Sequence, residues 1–254
     1  MRKKLIVIAL LTLSVIANQS QAALIARGTD MVYDDVNNIT WASDANLFKT
    51  QAASNPNLVS EIIAANGGVI HDTPNFYDNG TYTLTTADFI TGTGAMTWWG
   101  AQAWANNLRL GGVTGWTLPT TADAANPNNY GYNITTSQLG DLFYNQLGGV
   151  AGSSITTTHN ANYNLFSNVQ DYVYWSGSEY APFPGNAWYF YTVNGVQHDT
   201  FSKSFQIHAW AVRPGDVAAV PVPGAVWLFL SGLIGLMSLK LRRHNGLVPN
   251  RFPD

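Results

Sequence analysis

The stretch MTWWGAQAWANNLRL, residues 96–110, carries the clearest helix signal in this chain. Apolar residues recur on one helix face, at Ala101, Trp104, Ala105 and Leu108. Thr97 is in position to cap the first turn, and Gly111-Gly112 is typical of a helix end. The sequence therefore predicts a helix with a partly aromatic face over this stretch.

Outward from this helix, a second one is predicted over residues 136–147, with Thr136 as its cap. Residues 57–65 are compatible with a further short helix, and residues 66–95 read as a long insertion or loop with at most a small hairpin. Short strands are predicted at 24–27, 31–34, 39–41, 115–120, 172–178, 187–191, 196–201 and 207–212. Two helices among short antiparallel strands predict a single α+β domain over residues 23–216.

The amino terminus has the features of a secretory signal peptide, predicted over residues 1–22. Arg2, Lys3 and Lys4 precede the apolar stretch 5–16, which is too short to span a membrane. Small residues follow it, and we predict cleavage between Ala22 and Ala23.

The carboxyl terminus predicts a membrane-spanning segment over residues 217–243. It contains a proline motif, an uncharged apolar run and a basic cluster: Val220, Pro221, Val222, Pro223, Gly224, then Lys240, Arg242 and Arg243. The sixteen residues 224–239 would cover roughly 24 Å as a helix, and residues 217–223 extend this to a hydrocarbon core of about 30 Å. The basic cluster would stop transfer at the inner membrane and leave residues 244–254 as a cytoplasmic tail.

Charge and cysteine content exclude several classes of function. Residues 23–219 contain five basic and fourteen acidic residues, a net charge near −9, although the whole chain is only −3. Five scattered cations cannot form a basic patch, so a nucleic-acid partner is not expected. The absence of cysteine excludes thiol nucleophiles and disulfides.

Several motifs resemble a family of exported bacterial domains, DUF1566, the Legionella collagen-like protein C-terminal type. The matching stretches are 33–35, 38–41, 44–46, 103–108, 115–120, 174–177, 187–190 and 209–213. The tail is similar to the PEP-CTERM sorting signal, with its short proline motif, apolar span and arginine-rich end.

The first resemblance implies a C-type-lectin-like fold, related to that of the formylglycine-generating enzymes. The second implies an exosortase-type protease as partner, which would cut near residues 220–224 and pass the protein to the cell surface or extracellular matrix. Anchoring by the tail would then be transient, whereas an uncut tail would be a permanent anchor.

Aromatic residues offer two interpretations, a platform for sugar rings or a core. The tryptophans lie in predicted strands or on a helix face, and we predict that they form the core: Trp41, Trp104, Trp116, Trp175, Trp188 and Trp210. Tyr130, Tyr132, Tyr180 and Phe183 lie in loops rich in Pro, Gly and Asn and are the better candidates for exposed ligand contacts.

The predicted ligand-binding residues are Glu179, Tyr180, Phe183 and Asn186, in the loop whose position is most lectin-like. Glu179 and Asn186 could offer oxygens to a ligand. Calcium is an open alternative to no cofactor, with acidic candidates at Asp34, Asp35, Asp44, Asp171 and Glu179. No Asp-x-Asp-x-Asp-Gly series supports it, and turn capping explains most of these residues equally well.

No catalytic motif is present. The sequence lacks His-Glu-x-x-His, Gly-x-Ser-x-Gly and Gly-x-x-x-x-Gly-Lys patterns. His198 and Asp199 are neighbours on a predicted strand, which would point them to opposite faces. We therefore predict a non-enzymatic module that binds exopolysaccharide or a surface protein. The alternatives are a polysaccharide-acting enzyme with two carboxylates and a structural matrix protein without a specific ligand.

Overall fold

The computed structural model of this chain describes residues 24–217. Several predicted features lie outside this range: the signal peptide with Ala22 and Ala23, the sorting motif 220–224, the basic cluster 240–243 and all but the first residue of the membrane segment. Among the residues that are described, none of the helices combines the length and apolar character needed to cross a membrane. The described residues up to Asp216 belong to one compact unit.

The described chain is an α+β domain with short antiparallel strands, as predicted. Between residues 24 and 217 the strands are β1 (Leu24–Arg27), β2 (Met31–Asp34), β3 (Ile39–Ala42), β4 (Val69–His71), β5 (Thr81–Thr83), β6 (Phe89–Ile90), β7 (Ala95–Met96), β8 (Val173–Glu179), β9 (Ala187–Tyr191), β10 (Gln197–His198) and β11 (Val212–Pro214). The α-helices in the same range are α1 (Leu47–Ser54), α2 (Leu58–Ala65), α3 (Trp98–Asn107) and α4 (Gln138–Asp141). Single 3-10 segments cover Thr86–Asp88 and Ala161–Leu165.

The first sheet has the order β1-β2-β3-β11 and joins the two ends of the domain. Trp41 of β3 lies opposite Val32 on one side and Val212 on the other. Arg27 at the end of β1 forms an ion pair with Asp216, with Nη2 and Oδ2 2.7 Å apart. The ion pair thereby joins the first hairpin to the residues that follow the last strand.

The second sheet has the order β10-β9-β8. Its register shifts between Trp175 and Glu179 of β8. Where the pairing is irregular, the Gly177 N–H donates to the Pro119 carbonyl at 2.7 Å. Glu179 beyond this irregularity still pairs with Ala187 of β9. Because a bulge bends a strand and re-aims its side chains, we attribute the placement of the Glu179 side chain at the domain surface to it.

The segment before β11 connects the two sheets. The His208 N–H donates to the Val173 carbonyl of β8, and the Ala42 N–H of β3 donates to the Ala211 carbonyl. The bounds predicted for the strand 207–212 are therefore wrong. The backbone of His208 pairs with the second sheet and that of Ala211 with the first, so the segment does not form one continuous strand. Regular pairing begins only at Val212.

The prediction that tryptophans form the core is confirmed. Each of the six is at most 1% exposed: Trp41, Trp104, Trp116, Trp175, Trp188 and Trp210. Trp41 and Trp210 meet edge to face with ring centroids 5.4 Å apart. A buried indole N–H usually finds a hydrogen-bond partner. That of Trp210 donates to the Ala42 carbonyl at 2.8 Å, whereas Nε1 of Trp41 has no partner among the described residues. The core therefore holds the two sheets together and leaves no tryptophan of this set as a sugar platform.

Helix α3 confirms the helix predicted from residues 96–110, with shorter bounds. Thr97 caps it as predicted, accepting a hydrogen bond from the Gly100 N–H at 3.2 Å. Met96 belongs instead to β7, and the helix ends at Asn107. Gly100 allows close packing, because a Cβ there would lie 2.8 Å from the Asp88 carbonyl oxygen.

The predicted number of two helices is wrong, since four α-helices occur within residues 24–217. Helix α2 corresponds to the short helix considered over 57–65. Helix α1 was missed because it buries only Leu47 and Phe48, at its first turn, and so lacks an apolar stripe.

The second predicted helix differs in its cap and its geometry. Ser137, not Thr136, caps it, because the buried Ser137 Oγ accepts from the Gly140 N–H at 3.0 Å while Thr136 is exposed. The α-helical part, α4, covers only Gln138–Asp141 and continues as a π-helical turn to Gln146.

Two predicted strands and the insertion also need correction. Residues 115–120 contribute only a single bridge, from Thr117 to Val212, and the returning strand 196–201 is reduced to β10. Residues 66–95 contain two hairpins, β4–β5 and β6–β7, instead of one at most. Their β-ladders are two or three residues long, which is too short to show alternation in the sequence.

Candidate functional site

An open cleft of about 780 Å³ lies where the insertion meets the end of β8. Two short segments form most of its wall, residues 71–74 and residues 177–179 together with Ala181. Trp98, the first residue of α3, and Ala124 complete the lining. The cleft therefore combines the insertion with the bulged end of a core strand.

Lys203 lies fully buried beside this cleft. Its Nζ is 2.6 Å from Oδ2 of Asp72 and 2.7 Å from Oε1 of Glu179. The ammonium also lies 4.5 Å from the ring centroid of Trp98, within cation–π range. The Lys203 N–H donates to the Gly185 carbonyl, and the Lys203 carbonyl accepts from the Trp98 N–H, so both backbone groups are held in place. One cation is thus held between two carboxylates and an indole ring.

Asp72 brings the insertion into contact with the core. Its side chain is fully buried, and Oδ2 accepts hydrogen bonds from Lys203 Nζ and from Nε1 of Trp99 at 2.9 Å. Its other oxygen, Oδ1, is buried without a hydrogen-bond partner among the described residues. A buried acceptor without a partner carries a desolvation cost, which makes this oxygen the unusual atom of the site.

Glu179 is held on the opposite side of the same cation. Its Oε1 accepts from Lys203 Nζ and from the Thr73 N–H at 3.0 Å, and its Oε2 accepts from the Thr73 hydroxyl. Burial acts to raise the pKa of Glu179, but the bonds from Lys203 and Thr73 outweigh it, so this pKa is lowered. The side chain keeps 21% of its surface exposed and is a fixed carboxylate at the cleft wall.

The four predicted ligand-binding residues are not brought together in the cleft. Only Glu179 lines it. Tyr180 is buried at 8% exposure and packs edge to face on Trp188, so the expectation that it is exposed is wrong. Phe183 is 66% exposed, and half-buried Asn186 closes the turn through backbone bonds with Tyr180 and Phe183. The backbone groups of Asn186 are occupied by hydrogen bonds within the turn. The spacing of polar and apolar residues in the sequence gives no sign of these bonds.

Tyr130 and Tyr132 are exposed, as predicted, at 52% and 49%. Neither lines the cleft. Tyr130 stacks on the imidazole of His198, with centroids 5.5 Å apart. The expected separation of His198 from Asp199 is wrong, because Nδ1 and Oδ1 lie 3.0 Å apart. Strand β10 ends at His198, so strand alternation no longer governs the next side chain.

The acidic residues considered for calcium are used mainly within their own turns. Asp34 accepts from the backbone N–H groups of Val36 and Asn37, each at 3.0 Å. Asp44 accepts from the Asn46 N–H, and Asp171 accepts from the Ser154 hydroxyl. Within residues 24–217, no three His, Asp or Glu side chains are grouped so that they could hold a metal ion.

Sequence reasoning missed Asp72 and Lys203 as site residues. Lys203 was one of five scattered cations, and Asp72 lay in the insertion read as a loop. The position of Lys203 between aromatic stretches is the one local sign of a special role. Its partner Asp72 lies 131 positions away in the sequence. No family model, curated protein or solved structure matches this chain.

Proposed function

We propose that this chain is an exported surface protein whose folded domain binds a glycan in the cleft without catalysing a reaction on it. The observation that carries this proposal is the fixed carboxylate of Glu179 at the wall of an open cleft of about 780 Å³. Ligand sites combine a concave surface with a few polar groups held in place. Glu179, tied to Thr73 and Lys203, is such a group, and its oxygens can accept from sugar hydroxyls.

Charge favours a neutral or cationic glycan over an acidic one. Asp72 and Glu179 outnumber Lys203 at the cleft, and the domain as a whole is strongly acidic. A polyanionic polysaccharide would meet this excess of negative charge without a basic patch to receive it. Uncharged or amino-sugar polymers of the matrix are therefore the expected ligand class.

The ionised state of Glu179 argues against this residue as the acid of a glycosidase. A glycosidase needs one carboxyl group that stays protonated near neutral pH, with a raised pKa. The pKa of Glu179 is lowered instead, so this group is ionised there. The alternative of a polysaccharide-acting enzyme would require release of new reducing ends, abolished by Glu179→Gln.

Binding is tested with the detergent-solubilised full chain on a glycan array that includes the producer's own exopolysaccharide. Ala181 is exposed and lines the cleft, so Ala181→Trp should reduce binding at least about tenfold by filling it. Ala53→Trp is the matched control, because Ala53 is exposed on α1 and is not a cleft residue. Equal binding by both variants, or no saturable binding by the parent, would contradict the proposal; the latter would favour a structural matrix protein.

The proposed location rests on the sequence of the two ends and on the C-type-lectin-like resemblance of the domain between them. We infer that an exosortase-type protease cuts the tail near residues 220–224 after export across the inner membrane. Mass spectrometry of surface material should then find mature chains that end near Gly224. Surface chains that still contain residues 228–239 would identify the tail as a permanent anchor.

A further inference from the structure

We propose that Lys203 and Asp72 condense into an intramolecular amide bond, with Glu179 as the proton carrier. The buried Lys203–Asp72 pair, with the partly exposed Glu179, would then be a self-crosslinking site beside the cleft. This inference does not depend on glycan binding, because Glu179 stays a free carboxylate in the product.

The reacting groups are already in contact. Lys203 Nζ lies 2.6 Å from Asp72 Oδ2, and the side chains of both residues are fully buried. Since Oδ2 is bonded to Cγ, the nitrogen lies next to the carbon that it would attack, and groups held together in this way gain effective molarities of about 10⁵–10⁸ M over free reactants. Exclusion of water also favours condensation over hydrolysis, because water is the product that must leave.

Glu179 is in position to move the protons. Its Oε1 lies 2.7 Å from Lys203 Nζ, and its hydrogen bonds with Thr73 fix it there. It can accept a proton from the ammonium, which frees the nitrogen lone pair for attack. The proton would then pass to the departing Oδ1, which has no hydrogen-bond partner among the described residues and is therefore open to accept it. A general base needs this hydrogen-bond contact with the proton that it removes.

Trp99 supplies the third requirement, a donor for the oxygen that gains charge. Its Nε1–H donates to Asp72 Oδ2 at 2.9 Å. A fixed N–H aimed at a developing oxyanion stabilises the tetrahedral intermediate. Tyr82 stacks on this indole with ring centroids 3.8 Å apart, which holds the donor in place.

The step balances without a co-reactant. The Lys203 nitrogen forms a bond to Asp72 Cγ, and the Cγ–Oδ1 bond breaks. Of the three ammonium protons, one stays on the amide nitrogen, and two leave with Oδ1 as water. No atom is oxidised or reduced, and Glu179 ends as it began, with its carboxylate ionised.

The product removes two costs of the unreacted site. Asp72 Oδ1, buried without a partner among the described residues, departs. The buried ammonium–carboxylate pair, which carries a desolvation penalty, becomes a neutral amide whose N–H remains beside Glu179. The bond joins residues 131 positions apart and so ties the insertion to the last third of the domain. Such a link restricts the unfolded chain as a disulfide does, in a protein that has no cysteine.

Peptide mapping of the full chain, denatured and digested with trypsin, tests the proposal. The amide would block cleavage after Lys203. It would also join peptide 50–109, which contains Asp72, to the peptide that contains Lys203. The expected mass is the sum of the two peptides less one water. Complete cleavage after Lys203, with an unmodified peptide 50–109, would overturn the proposal and leave an ion pair only.

Variants separate the roles of the three groups. Lys203→Met and Asp72→Ala should each abolish the linked peptide. Glu179→Gln keeps the size of the side chain but removes the base, so the linked fraction should fall at least about tenfold at equal times after refolding. Near-ultraviolet circular dichroism identifies variants that have folded. A folded Glu179→Gln variant that crosslinks at the parent rate would contradict the assigned proton carrier, and a linkage mapped to Glu179 would contradict the assignment of Asp72.

Discussion

Asp88 shows how one buried carboxylate can order a segment that sequence patterns leave undefined. It is 2% exposed and accepts hydrogen bonds from Tyr82, Thr85 and Thr97. The Tyr82 hydroxyl lies on β5, Thr85 caps the following 3-10 turn, and Thr97 caps α3. This single side chain therefore attaches the insertion to the start of the central helix.

We expect Asp88→Ala to lower the free energy of unfolding by about 3 kcal/mol. The change leaves the buried hydroxyl of Thr97 and the part-buried donors of Tyr82 and Thr85 without this acceptor. Asp88→Asn should cost less, since one amide oxygen still accepts. Urea unfolding followed by tryptophan fluorescence measures both. Asp30→Ala is the control, because Asp30 is exposed, and its effect should stay within about 0.5 kcal/mol. Equal losses for Asp88→Ala and Asp30→Ala would contradict the role given to Asp88.

At the level of elements, the sequence predicts what local patterns encode. Helix α3 has a side-chain cap and an apolar face that are both visible in the sequence, so the helix was predicted, although it ends at Asn107 before the two glycines expected to stop it. Helix α1 buries two residues and lacks that periodicity, so it was missed. The single bridges of Thr117 and His208 depend on strands far away in the sequence. No window of neighbouring residues contains that information.

The residues of the candidate site show the same difference between local sequence patterns and contacts with distant residues. Glu179 could be proposed from its loop, because an acidic residue after a core strand is visible locally. Asp72 and Lys203 could not, since their meaning arises only when the insertion folds back over the bulged end of β8. The tryptophan core was predictable for a different reason: indole rings bury so much surface that they rarely remain outside.

At the scale of the whole molecule, both sheets depend on the segment around His208. Its N–H donates to the Val173 carbonyl of β8, and the Trp175 N–H donates to the His208 carbonyl. Four residues later the chain enters β11 of the other sheet. The imidazole is 8% exposed, and its Nδ1 has no hydrogen-bond partner within the described part of the chain. A charge introduced there would act on the junction that holds the two sheets together.

This position predicts loss of stability in acid. Burial, aided by the charge of Lys49, lowers the pKa of His208 from 6.5 to about 4. The unfolded chain therefore binds a proton more readily, so stability is fully present above pH 6.5 and falls as the pH approaches 4. Between about pH 7.5 and about pH 5, the free energy of unfolding should fall by about 2 kcal/mol through this group.

Replacing the imidazole tests whether this group carries the effect. His208→Leu cannot be protonated and removes the unpartnered nitrogen, so it should abolish this part of the loss, as measured by urea unfolding at the two pH values. His159→Leu is the matched control, because His159 is exposed and should leave the acid sensitivity unchanged. Glu179, whose pKa is lowered, loses its stabilising charge only as the pH falls below its ordinary value of 4.5. It therefore contributes little to the loss measured down to about pH 5. An undiminished loss in His208→Leu would show that the acid-sensitive group lies elsewhere.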